Sequence, residues 1–300
     1  MLNTDTAARI AETVRKAFPF EVEKKRLHDP EGRPTRTFGL FRSDNNHQVG
    51  NAVSERYEPH TTDDVLALTE AAAHGFDDKI VVRCHWDNGQ HVSIQPTNAE
   101  RVSLFNGRDS VWPRYLLKGQ YNGLHIASAA MFRDLCSNMA ELKQVEGTTT
   151  SIRHTAGPRL KMNGLIESFQ ELKSSWITMG EAIRNMEARK VRMIDFLNEI
   201  YPQPEADASQ RSVTIHSDRT KLIFDRLQSE HSRLGLGLVK DNSSVSAWLA
   251  FNAVQGYVQH EKSRNNLKDL NRDIRFDRML LANNDPVVRK AEMLTLTMAS

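Results

Sequence analysis

The sequence predicts an α+β fold, in which an antiparallel sheet of meanders and hairpins carries helices on one face and a helical C-terminal half contains a long heptad-patterned helix. Three observations predict it. Short segments of alternating polarity, separated by turns bearing Asp, Asn and Gly, occupy most of residues 20–130. Two of those turns contain Asn-Gly, a pair that readily adopts the positive φ angles of a tight hairpin. From residue 160 onward the apolar spacing changes to the three-and-four repeat of helices. The expected division is therefore a sheet domain over 1–157 and a helical domain over 158–300.

In residues 4–18 a Thr/Asp start precedes Ile10, Val14 and Ala17 on one face, and Pro19 closes the segment as a short amphipathic helix. FEVEKKRL, TRTFGLFR and HQVGNAVSERY then read as three consecutive strands joined by DPEG and DNN turns. Thr61 and Thr62 followed by Asp63 and Asp64 supply an N-cap and an acidic first turn for DVLALTEAAAH, with Gly75 placed to end it. KIVVRCHW and QHVSIQ flank Asp87-Asn88-Gly89, and RYLLKGQY and LHIASAA flank Asn122-Gly123, giving two hairpins. MFRDLCSNMAELK (131–143) reads as a return to helix. Short hairpin links between strands favour antiparallel pairing over parallel crossovers.

Beyond the polar stretch GTTTSIRHTAGP, the residues Leu165, Phe169, Leu172, Trp176, Met179, Ile183, Met186, Met193, Leu197 and Ile200 alternate at four and three, broken only by Lys190. One helix of that length would reach roughly 60 Å, too long for a compact domain to cover, so part of the stripe is expected on another helix or another subunit. After the Pro-bearing break YPQPEADASQ, further helices are read at 218–234, from Ser243 or Ser244 through the SAWLAFNAVQGYVQHEKS segment, at 267–282, and beyond Pro286.

Composition narrows the function classes. No apolar run approaches the roughly 20 residues that cross a bilayer, and the N-terminus lacks a secretory h-region, so a cytoplasmic location without membrane association is expected. Cys84 and Cys136, the only cysteines, form no C-x-x-C pair and read as reduced thiols. Residues 1–150 carry 18 basic and 20 acidic groups, and residues 151–300 carry 22 and 18, an asymmetry that permits an acidic partner without requiring one.

No phosphate-binding loop, dinucleotide fingerprint, zincin motif or nucleophile elbow is present, so no catalytic residue, cofactor or metal is expected. His85 and His91 flank a turn without third and fourth ligands nearby and read as strand histidines. Asp63 and Asp64 read as helix-capping groups, and Cys136 as a small apolar residue. The more informative pattern is basic and aromatic residues interleaved through the sheet half, including Arg36, Arg42, Arg56, Tyr57, Arg83, Trp86, Arg114, Tyr115, Lys118, Tyr121 and Arg133. Single strands are bound by positive grooves that track phosphates and by aromatic rings on which bases stack. Basic side chains on exposed strands also serve solubility, so the pattern alone does not decide. The basic positions of the later helices lie among acids, as on self-paired solvated faces.

Four places in the chain resemble a family of phage and plasmid proteins, the domain of unknown function 932. They are Arg42-Ser-Asp-Asn-Asn46 with Val49-Gly50 and Tyr57-Glu-Pro59; Arg133-Asp-Leu-Cys-Ser-Asn138; Ser151-Ile-Arg-His-Thr155; and Trp248 with Asn252-Ala-Val254, Tyr257 and His260. Met139 and Ala140 depart from it, standing where a Thr-Leu pair is common. The first place, together with the helix after Tyr57-Glu-Pro59, is also similar in topology to the β-β-β-α unit of RAD-type single-strand annealing recombinases. That resemblance implies an oligomeric protein that holds one DNA strand along a basic groove without hydrolysing nucleotide. It also implies a DNA-binding set of Arg42, Arg56, Tyr57, Arg83, Lys118, Tyr121, Arg133, Arg153 and His154, with the tyrosines available for stacking. The expected function is homo-oligomeric binding or annealing of single-stranded DNA in phage or plasmid recombination, replication or DNA protection. The alternative is an interaction protein that engages a host protein through its helical half.

Overall fold

The computed structural model describes residues 3–74, 76, 79–86, 89–121, 124–133, 139–140, 149–153, 174–202, 217–262 and 285–297. The chain forms two compact units. The first comprises Met1–Glu100, Pro113–Ala130 and Gly147–Trp176, and the second Arg101–Trp112, Met131–Glu146 and Ile177–Ser300.

In the first unit, α1 (Thr4–Ala17) begins at Asn3, whose side chain caps the Asp5 N–H, and buries Ile10 and Val14. Three strands follow, β1 (Val22–His28), β2 (Pro34–Arg42) and β3 (Gln48–Val53), paired in that order as an antiparallel meander. Its inner face builds a core from Phe20, Val22, Leu40, Val49, Tyr57 and Tyr121. Helix α2 (Thr62–His74) comes next, opened by reciprocal Thr61–Asp64 hydrogen bonds of the capping-box type.

A second sheet has the order β10-β8-β7-β5-β4, from β4 (Ile80–Trp86), β5 (Gly89–Pro96), β7 (Asp109–Gln120), β8 (Leu124–Arg133) and β10 (Thr149–Arg153). The registers of β4 with β5, β5 with β7, and β8 with β10 are all antiparallel. One face packs on the helices: Gln90 donates to Thr62 Oγ1 on α2, Arg9 on α1 donates to the Ile80 carbonyl, and Phe76 meets the Tyr115 ring. The α+β class with antiparallel sheets thus holds, divided between two larger sheets and a two-stranded one in the second unit.

In the second unit, β6 (Val102–Leu104) pairs with the start of β7, and β9 (Met139–Ala140) pairs with the end of β8. Helix α3 covers residues 174–188, of which 177–188 belong to this unit. It is followed by β11 (Lys190–Arg192), α4 (Met193–Ile200), α5 (Asp218–Arg233), β12 (Ser244–Ser246), α6 (Ala247–His260) and α7 (Pro286–Thr297). Helix α6 is apolar nearly all round and correspondingly buried, with Trp248, Leu249, Phe251 and Val254 at 0 % exposure and α5 and α7 against it.

Three expectations are corrected. The segment read as helix over 131–143 supplies the end of β8 and all of β9; Met131 and Arg133 alternate into buried positions, and Met131 pairs with Ala140 and Phe132 with Met139. The heptad stripe does not ride on one helix, because Lys190–Arg192 leaves it to pair with Ser244–Ser246. Met179, Ile183, Met186 and Met193 on that stripe are at 0 % exposure within the chain, so those positions ask for no second subunit. The same pairing makes Ser244–Ser246 a strand, and α6 starts later than expected, with Ser246 as its N-cap. Asn88, Asn122-Gly123, Gly75, residues 160–173 and the segment 267–282 lie outside the described residues.

Candidate nucleic-acid interface

Charge is distributed unevenly over the larger sheet. Its strands β4, β5, β7, β8 and β10 carry Arg83, Arg114, Lys118, Arg133 and Arg153 against one acid, Asp109. Asp109 belongs to the second unit, where it is buried against Arg133. The portions of these strands in the first unit therefore hold four Lys or Arg, three histidines (His85, His91 and His125) and no carboxylate.

Register decides which of these groups share a face. His85 stands opposite His91, which stands opposite Lys118, forming one row across three strands. Arg83 lies opposite Ser93, two residues along on the same face. The two imidazoles stack with centroids 4.7 Å apart. Arg114 shares this face, donating to Ser93 Oγ at 3.4 Å and Gln95 Oε1 at 2.8 Å. Arg83 is exposed, His85 and Lys118 are half-buried, and His91 and Arg114 are buried. The opposite face holds Ile80, Ile94 and Tyr115, which period-two alternation sends to the helices. Sequence alone interleaves the two sets, and only pairing separates them.

The β1–β2 hairpin is a second basic element. Residues 22–42 hold Lys24, Lys25, Arg26, Arg33, Arg36 and Arg42 against Glu23, Asp29 and Glu31. Asp29 and Glu31 are both engaged by Arg33 at the turn. The Lys24 ammonium lies 5.2 Å from the Phe38 centroid, with Arg26 at 5.3 Å, and Lys25 lies 5.7 Å from that of Phe41. Exposed contacts of this kind contribute about 0.5–1 kcal/mol each, enough to orient a side chain but not to fix it. Of this hairpin the sequence reading names only Arg36 and Arg42; Lys24, Lys25, Arg26, Phe38 and Phe41 emerge with the structure. The legible signal was FEVEKKRL beside TRTFGLFR, two adjacent strands each alternating charge with apolar side chains.

The nine residues expected to contact DNA fall into distinct settings. Arg83 and Lys118 come together on the sheet face described above. Arg42 stacks over Phe20 at 3.6 Å and grips Asp44 with both Nε and NH2, and that grip holds the Asp44 carboxyl below its ordinary range. Arg56 is exposed in the turn after β3. Arg153 ends β10 opposite Leu124. His154 lies outside the described residues.

Tyr57, Tyr121 and Arg133 stand differently from the expectation. Both tyrosines are core residues, and burial pushes their phenols upward. Tyr121 stacks on His60 at 4.3 Å and meets Trp86, so its ring is packed by protein where a base would need to lie. Arg133 is 1 % exposed and bonds Asp109 through Nε at 2.5 Å and Glu230 through NH1 at 2.6 Å. Its charge is spent inside the second unit. A buried guanidinium is expensive unless paired, and two carboxylates supply the pairing.

Cys84 is half-buried and its thiol is pushed up to about 12 by desolvation, which leaves it a weak nucleophile. Among the described residues no group of three His, Cys, Asp or Glu is arranged to hold a metal ion, and no helix is long and apolar enough to cross a membrane.

Antiparallel sheets with basic strands in the first unit, and a second unit rich in helices, define a chain of mixed α+β class. The family model for a domain of unknown function, DUF932, matches residues 50–284, and the chain belongs to that family. No curated protein and no solved structure matches it.

Proposed function

We propose that this protein binds single-stranded DNA, acting as a homo-oligomer of a phage or plasmid in annealing, recombination, replication or DNA protection without hydrolysing nucleotide. The observation that carries the reading is the set of first-unit strands with no acid of their own, which puts the exposed Arg83 and the half-buried His85 and Lys118 on one face, beside the buried His91 and Arg114. Lysine and arginine on strands that carry no acid of their own favour phosphate without discriminating sequence. The β1–β2 hairpin adds six further Lys and Arg, four of them beside aromatic rings. The RAD-type resemblance belongs to this reading, as does an annealer-like β-β-β-α unit in the first hundred residues.

A second reading, an interaction protein directed at a host factor, is favoured by one feature of the second unit. Leu238 is 93 % exposed on a loop pinned by Gln228 at Val239 and by His231 at Gly237. Fluorescence anisotropy of a labelled oligo-dT at low and moderate salt, with the solution mass measured alongside, separates the two. Tight binding by a multimer that weakens with salt supports the first reading; an inert protein at low salt removes it and leaves the second.

A further inference from the structure

The outer face of the β1–β2–β3 sheet carries one feature that a solubility role does not explain. Glu23, Lys25, Gly39, Phe41 and Gln48 share that face through the pairs Glu23–Phe41, Lys25–Gly39 and Phe41–Gln48. A Cβ built on Gly39 would lie 2.6 Å from Cε2 and 2.9 Å from Cζ of Phe41, and 3.0 Å from Leu27 Cδ2. The Phe41 ring therefore lies down over the strand backbone, in space that only glycine leaves open. Gly39 is buried beneath it while Glu23, Lys25 and Gln48 are exposed. The ring is half-buried there, so part of it faces solvent. Its cationic neighbour is held in place, since Lys25 Nζ donates to Asn46 Oδ1 at 2.9 Å and sits 5.7 Å from the ring centroid. Asn46 reaches it from the β2–β3 turn, in a left-handed conformation with φ of 54°.

We propose that Phe41 is a base-stacking platform for a single strand of DNA, with an unpaired base on the solvent-facing part of the ring and Lys25 against the adjoining phosphate. The proposal rests on the single-strand reading and deepens it by naming where a base lies. Charge supports this occupant: the hairpin holds twice as many Lys and Arg as acids, and Asp29 and Glu31 are engaged by Arg33. Glu23, 3.1 Å from Lys25, is the one carboxylate on this face that a phosphate must displace. Exposed pairs of that kind are weak competitors. Every base has a π face, so the platform predicts tolerance of sequence.

The test uses the full chain, a labelled oligo-dT and an abasic deoxyribose-phosphate oligomer of equal length. Phe41→Leu keeps an apolar cover on Gly39 and removes the ring; we expect roughly tenfold weaker binding of oligo-dT, no change for the abasic oligomer and an unchanged salt slope. Phe41→Trp, which enlarges the ring, should keep or raise oligo-dT affinity, and irradiation of an iodouracil-bearing oligomer should cross-link Phe41 in the wild-type chain. Equal oligo-dT affinity of Phe41→Leu and wild type, or cross-links confined to other residues, overturns the platform while the single-strand reading stands. A wild-type chain that binds neither oligomer overturns both. Should Phe41→Leu fail to fold, the tryptophan variant and the cross-link decide: lost affinity in the one or no Phe41 adduct in the other refutes the platform.

Discussion

Replacing Arg133 by methionine tests whether this arginine serves the fold or a surface. The side chain lies at 1 % exposure between Asp109 and Glu230, whose side chains are 0 % and 5 % exposed, with contacts of 2.5 and 2.6 Å. Removing one partner of a buried ion pair leaves an uncompensated charge and costs about 3–5 kcal/mol; here two carboxylates are stranded together, so the upper end is expected. At roughly 2–4 °C per kcal/mol for a domain of this size, melting falls by about 10–20 °C, readable by circular dichroism or calorimetry. Adding Asp109→Asn and Glu230→Gln to Arg133→Met removes both charges and should recover more than half of the loss. Anisotropy measured well below the lowered transition should show oligo-dT affinity unchanged, because the buried guanidinium meets no phosphate. A melting point within a degree or two of wild type, or a selective loss of DNA affinity, would refute the assignment and return Arg133 to the binding surface.

Further outcomes follow from other sites. Arg83→Ala with Lys118→Ala should lower the slope of log affinity against log salt by about 1.4, at about 0.7 per single-strand phosphate contact, and an unchanged slope would remove both from the interface. Gly50→Ala should destabilise the first unit by at least about 2 kcal/mol, since φ is 63° and the new Cβ would sit 2.4 Å from the Tyr121 carbonyl oxygen; a neutral melting curve would contradict this. In a Cys136→Ser background, Cys84 should react with a maleimide far more slowly at pH 8 than after unfolding, because its thiol stands at about 12; equal rates would show it open to solvent. The Asp44 carboxyl should titrate below its ordinary value by NMR. Its pairing is present above the unfolded value and lost as pH falls through the depressed one, and Arg42→Gln should move the titration upward.

Strands β1 to β5, and most of β7, were legible because period-two alternation and turn residues are local signals. MFRDLCSNMAELK was misread because its apolar spacing also fits a helix. What decides it is distant: Asp109 and Glu230 hold Arg133 from 24 and 97 residues away. Lys190–Arg192 and Ser244–Ser246 are three-residue strands separated by more than fifty positions, and neither carries a pattern of its own. Each becomes a strand only by meeting the other. The positions of the 3–4 stripe from Trp176 to Ile200 are buried, and its interruption at Lys190 was visible, but a spacing cannot say whether its cover comes from the same chain.

The candidate site shows the same limit at the scale of single side chains. Arg133 and Lys25 both read in the sequence as basic strand residues, yet one is enclosed by two carboxylates and the other stands exposed beside a ring. Tyr121 and Phe41 invert the usual expectation that tyrosine is the more exposed aromatic: Tyr121 is enclosed by His60 and Trp86, and Phe41 lies over a glycine at the surface. What distinguishes them is register. Gly39 lies two residues before Phe41, so it falls directly beneath the ring on the same face, and the exposed Lys25 opposite it marks that face as outward. An aromatic two positions after a strand glycine, opposite a lysine, is thus a pattern that pairing turns into a surface ring, whereas a count of basic and aromatic residues cannot.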